Sequence, residues 1–184
     1  MEELAPGLWR WSAPHPRWRP GMDGPGGWAR EVNSVAYDTG DALVVIDPLV
    51  EDWEALDGLT AGRRVVVVLA AVWHRRSTDE VLARYGGELR DTTPEAQTLP
   101  VGDEGERLLW LPGPCALFSA EALTGSADGL RVAESPALRS RAELDDQLRR
   151  AAGLGVEIVV PAHGPPILRD GSAEILRALR RPPW

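Results

Sequence analysis

The segment of residues 65–73 constrains the fold most, because it is the longest unbroken apolar stretch of the chain. It begins with four valines, and an uninterrupted apolar run rich in β-branched residues indicates a strand covered on both faces. We therefore predict a buried strand over residues 65–72. The stretch is about half as long as a helix that crosses a bilayer.

Shorter segments indicate further strands and three helices. Ser77 and Glu80 have the spacing of a helix capping box, as do Ser140 and Glu143, and glycines suited to ending these helices follow at positions 86 and 153. A last helix is predicted over residues 173–179. The predicted strands cover residues 8–12, 34–37, 42–46, 107–111, 116–119 and 156–160. Such a mixture predicts an α/β or α+β domain with layered sheets and covering helices.

Composition narrows the classes of protein that this chain could represent. Its 184 residues suit one domain, 1–184, and the net charge of −8 disfavours nucleic acid and anionic membranes as partners. The N-terminus has no signal-peptide pattern, which favours a soluble, cytoplasmic protein. Cys115 is the only cysteine, which excludes an internal disulfide and a cysteine-rich zinc module. All 20 basic residues are arginines, so no lysine is available for Schiff-base chemistry.

Residues 13–31 are predicted to form a long loop rich in proline and glycine. The loop also contains His15, Trp18 and Trp28. A loop of this length in a compact domain is usually a functional lid or a disordered excursion. The tryptophans indicate that it packs against something, which could be the body of the protein itself.

Several segments, in this order along the chain, resemble the metallo-β-lactamase superfamily. The opening segment 4–10 looks like its first strand, and residues 33–48 look like the hairpin that ends in its structural aspartate, here Asp47. The strand at 65–72 and the helix after it occupy the place of the His-x-His-x-Asp-His metal motif. Residues 116–123 resemble the strand that carries the metal-bridging aspartate, and residues 156–164 resemble the strand that ends in the last metal histidine. The resemblance implies an αββα sandwich.

The chain departs from the family mainly in its metal ligands. The motif region reads Leu69-Ala70-Ala71-Val72-Trp73-His74-Arg75-Arg76, so one histidine remains. Counting back from the following helix puts His74 at the last histidine of the motif, whereas counting forward from the strand puts it inside the motif. Glu121 stands where the family has the bridging aspartate, and only His163 lies in a motif close to the family form. With three histidines in the whole chain, a dinuclear centre of the family type cannot be built.

The surviving residues allow two interpretations. His74, Glu121 and His163 could bind one zinc or iron ion with open positions for water, as in a mononuclear hydrolase. Alternatively they are relics held by hydrogen bonds at strand ends. We favour the second interpretation and expect no metal cofactor, because Arg75 and Arg76 add positive charge where a cation would sit. Both interpretations predict that the three residues converge.

The arginines and Trp73 are also open to more than one interpretation. They could form a binding site for a carboxylate or phosphate, with Trp73 as an aromatic wall. Alternatively, Trp73 or the loop tryptophans fill the volume vacated by metals, and the arginines pair with Glu121, Asp79 or Glu80. We also predict that Arg75 or Arg76 makes a charge-assisted hydrogen bond to Glu121 or Asp47, replacing the lost cation.

Together these features predict a degenerate metallo-β-lactamase-like protein without a dinuclear centre, which binds a small-molecule ligand or acts as an accessory protein. The alternatives are a mononuclear metal-dependent hydrolase of an ester, thioester or lactone, and a purely structural or oligomer-forming domain. The sequence indicates neither the ligand nor the oligomeric state.

Overall fold

The larger sheet contains six strands, which follow one another in sequence order. The computed structural model describes residues 1–22, 29–101, 105–133 and 141–182. The strands of this sheet are β1 (Glu2–Ala5), β2 (Leu8–Pro14), β3 (Glu31–Asp38), β4 (Ala42–Ile46), β5 (Arg64–Val68) and β6 (Glu88–Arg90). The pairs β1–β2, β2–β3 and β3–β4 are antiparallel, whereas the pairs β4–β5 and β5–β6 are parallel.

The second sheet contains four strands in the order β12-β9-β8-β7. The remaining strands of the chain are β7 (Gln97–Pro100), β8 (Arg107–Leu111), β9 (Ala116–Phe118), β10 (Leu123–Ser126), β11 (Gly129–Val132) and β12 (Ile158–Val160). Strand β12 is parallel to β9, while β7, β8 and β9 are antiparallel. Strands β10 and β11 form a separate hairpin. The sequence did not predict β6, β7, β10 or β11.

Two predicted boundaries were wrong. The strand expected over residues 65–72 ends at Val68, and residues 69–72 leave the sheet towards the candidate site. The long loop is shorter than residues 13–31, because Ala13 pairs with Val32 and Pro14 with Glu31 at the ends of β2 and β3. Both errors arise because an apolar or proline-rich composition does not show where the hydrogen-bonded ladder stops.

Four helices in the described parts of the chain cover the sheets. They are α1 (Trp53–Thr60), α2 (Thr78–Tyr85), α3 (Arg141–Ala152) and α4 (Gly171–Ala178). The sequence analysis missed α1, which begins where the Asp52 side chain accepts a hydrogen bond from the Ala55 amide. The capping box predicted for α2 is not formed, since the Ser77 hydroxyl accepts from the Val50 amide instead. Gly86 ends α2 in the left-handed conformation, as predicted, whereas Ser140 lies outside the described residues.

Alternation along the strands assigns each side chain to a layer. In β4, Leu43 and Val45 pack with α1 and α2, while Val44 and Ile46 point to the opposite face and pack against the second sheet. Helices α3 and α4 cover the outer face of the second sheet. The result is the predicted α-β-β-α layering of an α+β protein. No helix in the described parts of the chain is long and apolar enough to cross a membrane.

Candidate functional site

The candidate residues lie where strands end. Asp47 directly follows β4, and His74 lies in the loop between β5 and α2. Glu121 follows β9, and His163 follows β12. Because β4 is parallel to β5 and β9 is parallel to β12, each pair of loops emerges at one edge of its sheet. The chain path therefore brings together the residues that the sequence singled out.

Asp47 anchors the loop that carries His74. Its carboxylate is fully buried, with Oδ1 accepting a hydrogen bond from the Ala70 amide at 2.8 Å and Oδ2 lying 2.7 Å from Nδ1 of His74. Asp47 has a φ of 45°, a left-handed backbone conformation that is uncommon outside glycine. The strand thus ends in a sharp turn that directs this carboxylate towards the next loop.

Glu121 connects the two histidines. Its Oε1 lies 2.8 Å from Nε2 of His74, and its Oε2 lies 3.5 Å from Nε2 of His163. Asp47, His74, Glu121 and His163 therefore form one continuous chain of alternating acidic and imidazole groups, which we call the acid–imidazole chain. The predicted convergence of His74, Glu121 and His163 is confirmed.

The contacts of His74 determine its protonation. Burial acts to lower the pKa of His74, but the charge of Asp47 and the hydrogen bonds with Asp47 and Glu121 outweigh it and raise the pKa to about 9. Burial likewise acts to raise the pKa of Glu121, yet hydrogen bonds and charges from His163 and His74 hold it well below its usual range. At neutral pH His74 is accordingly an imidazolium that donates from both ring nitrogens.

The two arginines play different roles. Arg75 is exposed and forms an ion pair with Asp79 at 2.6 Å, one of the alternatives that the sequence left open. Arg76 turns inwards, and its Nη1 donates to the main-chain carbonyls of Asp47 at 3.2 Å and Asn33 at 3.4 Å. Among the described contacts, neither guanidinium bonds to the carboxylate of Asp47 or Glu121. The predicted charge-assisted hydrogen bond to Asp47 is present, but it reaches the main-chain carbonyl and not the carboxylate, so Arg76 does not pair with an acidic side chain as a lost cation would.

Trp73 does not fill a vacated metal site. It is 50% exposed, and its ring stands edge-on to His74 with 6.0 Å between centroids. The preceding Val72 is 54% exposed. Of the loop tryptophans, Trp18 is half-buried beneath Arg30, and Trp28 lies outside the described residues. The prediction that Trp73 is a core residue was wrong, since the loop turns this side chain outwards next to the acid–imidazole chain.

Three further residues contribute to the site and were not predicted. The Asn33 side chain donates to the carbonyls of Pro161 and Gly164, both at 2.8 Å, and so holds the loop that carries His163. Glu106 is buried and accepts a hydrogen bond from the Glu121 amide at 3.1 Å. Asn33 could have been noticed because it and Ser34 are adjacent polar residues between the apolar residues of β3. Glu106 gives no such signal, because it precedes β8 among other charged residues.

His15 is the third unpredicted residue, since the sequence placed it in an unrelated loop. It continues from β2, with its amide bonded to the Arg30 carbonyl, and it is half-buried. Burial, and then the positive charges of neighbours that include His163 and His74, lower the pKa of His15 to about 4. All three histidines of the chain therefore lie near one another, although 148 positions separate the first from the last.

The residues that the resemblance would assign to a metal ion bond to one another in this structure. Within the described ranges, no group of three or more His, Cys, Asp or Glu residues is arranged to hold a metal. Both ring nitrogens of His74 and both carboxylate oxygens of Glu121 already have protein partners. A metal-bound imidazole needs a free lone pair, which the doubly hydrogen-bonded His74 imidazolium lacks.

Solved structures share this architecture. A metallo-β-lactamase from Erythrobacter litoralis is 13% identical, with 97% of this chain and 89% of that chain covered and a TM-score of 0.64. An archaeal metallo-β-lactamase superfamily protein from Sulfolobus tokodaii is 13% identical, with coverages of 95% and 85% and a TM-score of 0.67. A metallo-β-lactamase family protein from Thermus thermophilus is 16% identical, with coverages of 96% and 79% and a TM-score of 0.57.

At the level of sequence, neither a protein-family model nor a curated protein matches this chain. The structural similarity nevertheless extends over nearly the whole chain and over most of each solved structure. It agrees with the order of the resembling segments and with the α-β-β-α layers. This chain therefore has the metallo-β-lactamase fold.

Proposed function

We propose that this protein binds a small molecule, as a binding or accessory protein, on a metallo-β-lactamase fold that has lost its dinuclear metal centre. The observation that carries the proposal is the acid–imidazole chain. In it His74 bonds to Asp47 and to Glu121, and Glu121 also pairs with His163. Buried charges that are paired in this way need no metal ion to balance them.

Exposed apolar surface beside the acid–imidazole chain supports the proposed binding of a small molecule. Val72 and Trp73 are consecutive residues, both at least half exposed, and the Trp73 ring contacts His74. A tryptophan offers a large contact area with little loss of side-chain entropy on binding, and aromatic residues are frequent at the centre of binding sites. We expect a ligand to cover these two side chains and to meet the polar groups beside them.

Metal content tests the first part of the proposal. The protein should be purified without a His-tag after growth with added zinc and iron, and its metals measured by elemental analysis. We expect well under one metal ion per chain, and equal values for the wild type and His163→Ala. One tightly bound metal ion per chain that is lost in His163→Ala would contradict the proposal.

Ligand uptake tests the second part. A set of small aromatic compounds is titrated against the wild type, Trp73→Ala and Leu154→Ala by calorimetry. Leu154 is an exposed apolar residue of similar accessibility outside the candidate site and serves as the matched control. We expect saturable binding that Trp73→Ala abolishes and Leu154→Ala retains. If no compound binds, the purely structural domain is the better interpretation.

One observation favours the mononuclear hydrolase as the second candidate. The bond between Asp47 and Nδ1 of His74 is the contact that orients a metal-bound histidine in metalloenzymes, where the other ring nitrogen faces the metal. In this alternative, loss of the proton from Nε2 of His74 would free that nitrogen for zinc or iron, with Glu121 and His163 as further ligands. The alternative predicts esterase, thioesterase or lactonase activity that rises with metal content and disappears in Glu121→Gln.

A further inference from the structure

Two arginines lie near His15, at one side of the candidate site. Burial lowers the pKa of His15, and the positive charges of Arg76 and Arg17, which lie near it, lower that pKa further. Among the acidic groups, Asp47 and Glu121 bond to His74 and their charges also act on Arg76, while Glu106 accepts from the Glu121 amide. Arg76 and Arg17 thus bring two permanent positive charges to this side of the site, in a protein whose net charge is −8.

Arg76 has hydrogen-bonding capacity that the fold does not use. A guanidinium has five N–H donors, and Nη1 of Arg76 makes only two long bonds, to main-chain carbonyls. Its Nε is buried and has no hydrogen-bond partner among the described residues. Arg76 also has a φ of 37°, so its backbone holds a strained conformation that directs the side chain inwards. A partly buried arginine with unused donors is suited to binding an oxyanion.

We propose that Arg76, with His15 and Arg17, binds the carboxylate or phosphate group of a small organic anion whose apolar part contacts Val72 and Trp73. This inference rests on the proposed binding function and specifies the class of ligand. Arg76 acts electrostatically on His74, and the Trp73 ring stands edge-on to the same imidazole, so one small molecule with a charged end and an apolar end matches both. The planar guanidinium fork suits either oxyanion, because both present two oxygens to it.

Calorimetric titration of four probes tests the proposal. Phenyl phosphate and 4-phenylbutyrate carry the two oxyanions on an apolar group, inorganic phosphate carries the oxyanion alone, and 4-phenylbutyramide is the neutral counterpart. We expect one of the two organic anions to bind at least about tenfold more tightly than both the amide and inorganic phosphate. The tighter of the two identifies the oxyanion.

Arginine variants locate the binding group. Arg76→Gln should weaken binding of the organic anion by about tenfold or more, and Arg17→Gln by a few-fold. Arg75→Gln is the matched control, because Arg75 is adjacent in sequence but exposed and paired with Asp79, and it should leave the affinity unchanged. Arg17 is exposed, so its variant still tests the site if Arg76→Gln does not fold.

The outcomes separate this inference from the proposed function. If 4-phenylbutyramide binds as tightly as the anions, or if Arg75→Gln weakens binding as much as Arg76→Gln, the oxyanion site is refuted while small-molecule binding stands. If neither the anions nor the amide bind, the binding function fails together with this inference. Equal binding of inorganic phosphate and phenyl phosphate would refute the role of Val72 and Trp73 and retain that of Arg76.

Discussion

His74 holds the candidate site together, because it bonds to a carboxylate on each side. Asp47 on one side belongs to the larger sheet, and Glu121 on the other side follows a strand of the second sheet. The side chain of His74 is 5% exposed, so water cannot substitute for either bond. One imidazolium thus connects a loop that follows a strand of each sheet.

Removing His74 should be costly. His74→Ala leaves Asp47 and Glu121 as buried charges without their shared partner, and we expect the free energy of unfolding to fall by about 3–5 kcal/mol. A double-mutant cycle with Glu121→Gln, measured by urea denaturation, should give a coupling of about 1 kcal/mol or more. The same cycle with Arg75→Gln should be additive. Additivity in both cycles would mean that the His74–Glu121 bond contributes nothing to stability.

Trp73 should contribute little to stability despite its size. Because half of its surface is exposed, we expect Trp73→Ala to lower the free energy of unfolding by less than about 1 kcal/mol. Trp110 provides the comparison, since it is buried in the core beneath α3 and α4, and Trp110→Ala should cost about 3–5 kcal/mol. Similar losses for the two variants would show that Trp73 is packed in the core after all.

The site loops combine unusual backbone conformations with close approaches. Asp47, Arg76 and Ala120 are three of the five described non-glycine residues with positive φ, and all belong to the loops of the acid–imidazole chain. The loop of His163 contains Gly164, with a φ of 85°, whose backbone lies directly against Gly125 of β10. Strain of this kind persists only where surrounding contacts enforce it.

Gly164 should therefore tolerate no side chain. A Cβ atom there would overlap the backbone of Gly125, so Gly164→Ala should cost more than about 3 kcal/mol of unfolding free energy. Gly155 has a similar φ of 77° but open space around it. Gly155→Ala should therefore lower the free energy of unfolding only by the cost of holding an alanine in the left-handed conformation, about 1–2 kcal/mol. Thermal unfolding with calorimetry compares the two. Equal losses would mean that the loop can move away from β10 without penalty.

At the scale of the whole molecule, the buried charges link stability to pH. The pKa of His74 is about 9 in the folded protein, compared with an ordinary value of 6.5. Its contribution to the free energy of unfolding is therefore complete below pH 6.5 and disappears as the pH rises towards 9. The pKa of Glu121 is lowered from 4.5, so its contribution is complete above pH 4.5 and disappears as the pH falls. Between pH 4.5 and pH 6.5 both groups contribute fully to the free energy of unfolding.

The difference in unfolding free energy between the wild type and His74→Gln isolates the basic side of this dependence. We expect that difference to fall by about 1–3 kcal/mol between pH 6.5 and 9, since one pKa unit corresponds to about 1.4 kcal/mol. Urea denaturation at a series of pH values measures it. A difference that stays constant over this range would show that His74 is not held as an imidazolium.

The sequence by itself determined the layers of this protein and the residues that could form its site. Hydrophobic periodicity reports which face of a strand or helix is buried, and the four valines at residues 65–68 required cover on both faces of a sheet. The count of three histidines is the basis for expecting no dinuclear centre of the family type, which stays a prediction. Asp47, His74, Glu121 and His163 were found because each lies in a segment that resembles a metallo-β-lactamase motif.

Only the tertiary structure decided how those residues meet. Consecutive residues of one loop diverge, since Trp73 and Arg75 point to solvent while His74 and Arg76 turn inwards. His15 joins the site from a distant segment, and Glu106 from a stretch without a distinctive pattern. Periodicity is a local property of regular elements, whereas these contacts depend on the left-handed turns and the strand pairing that direct each loop. The physical reason is that a side chain's partner is set by the path of the backbone around it, which neighbouring residues in sequence do not specify.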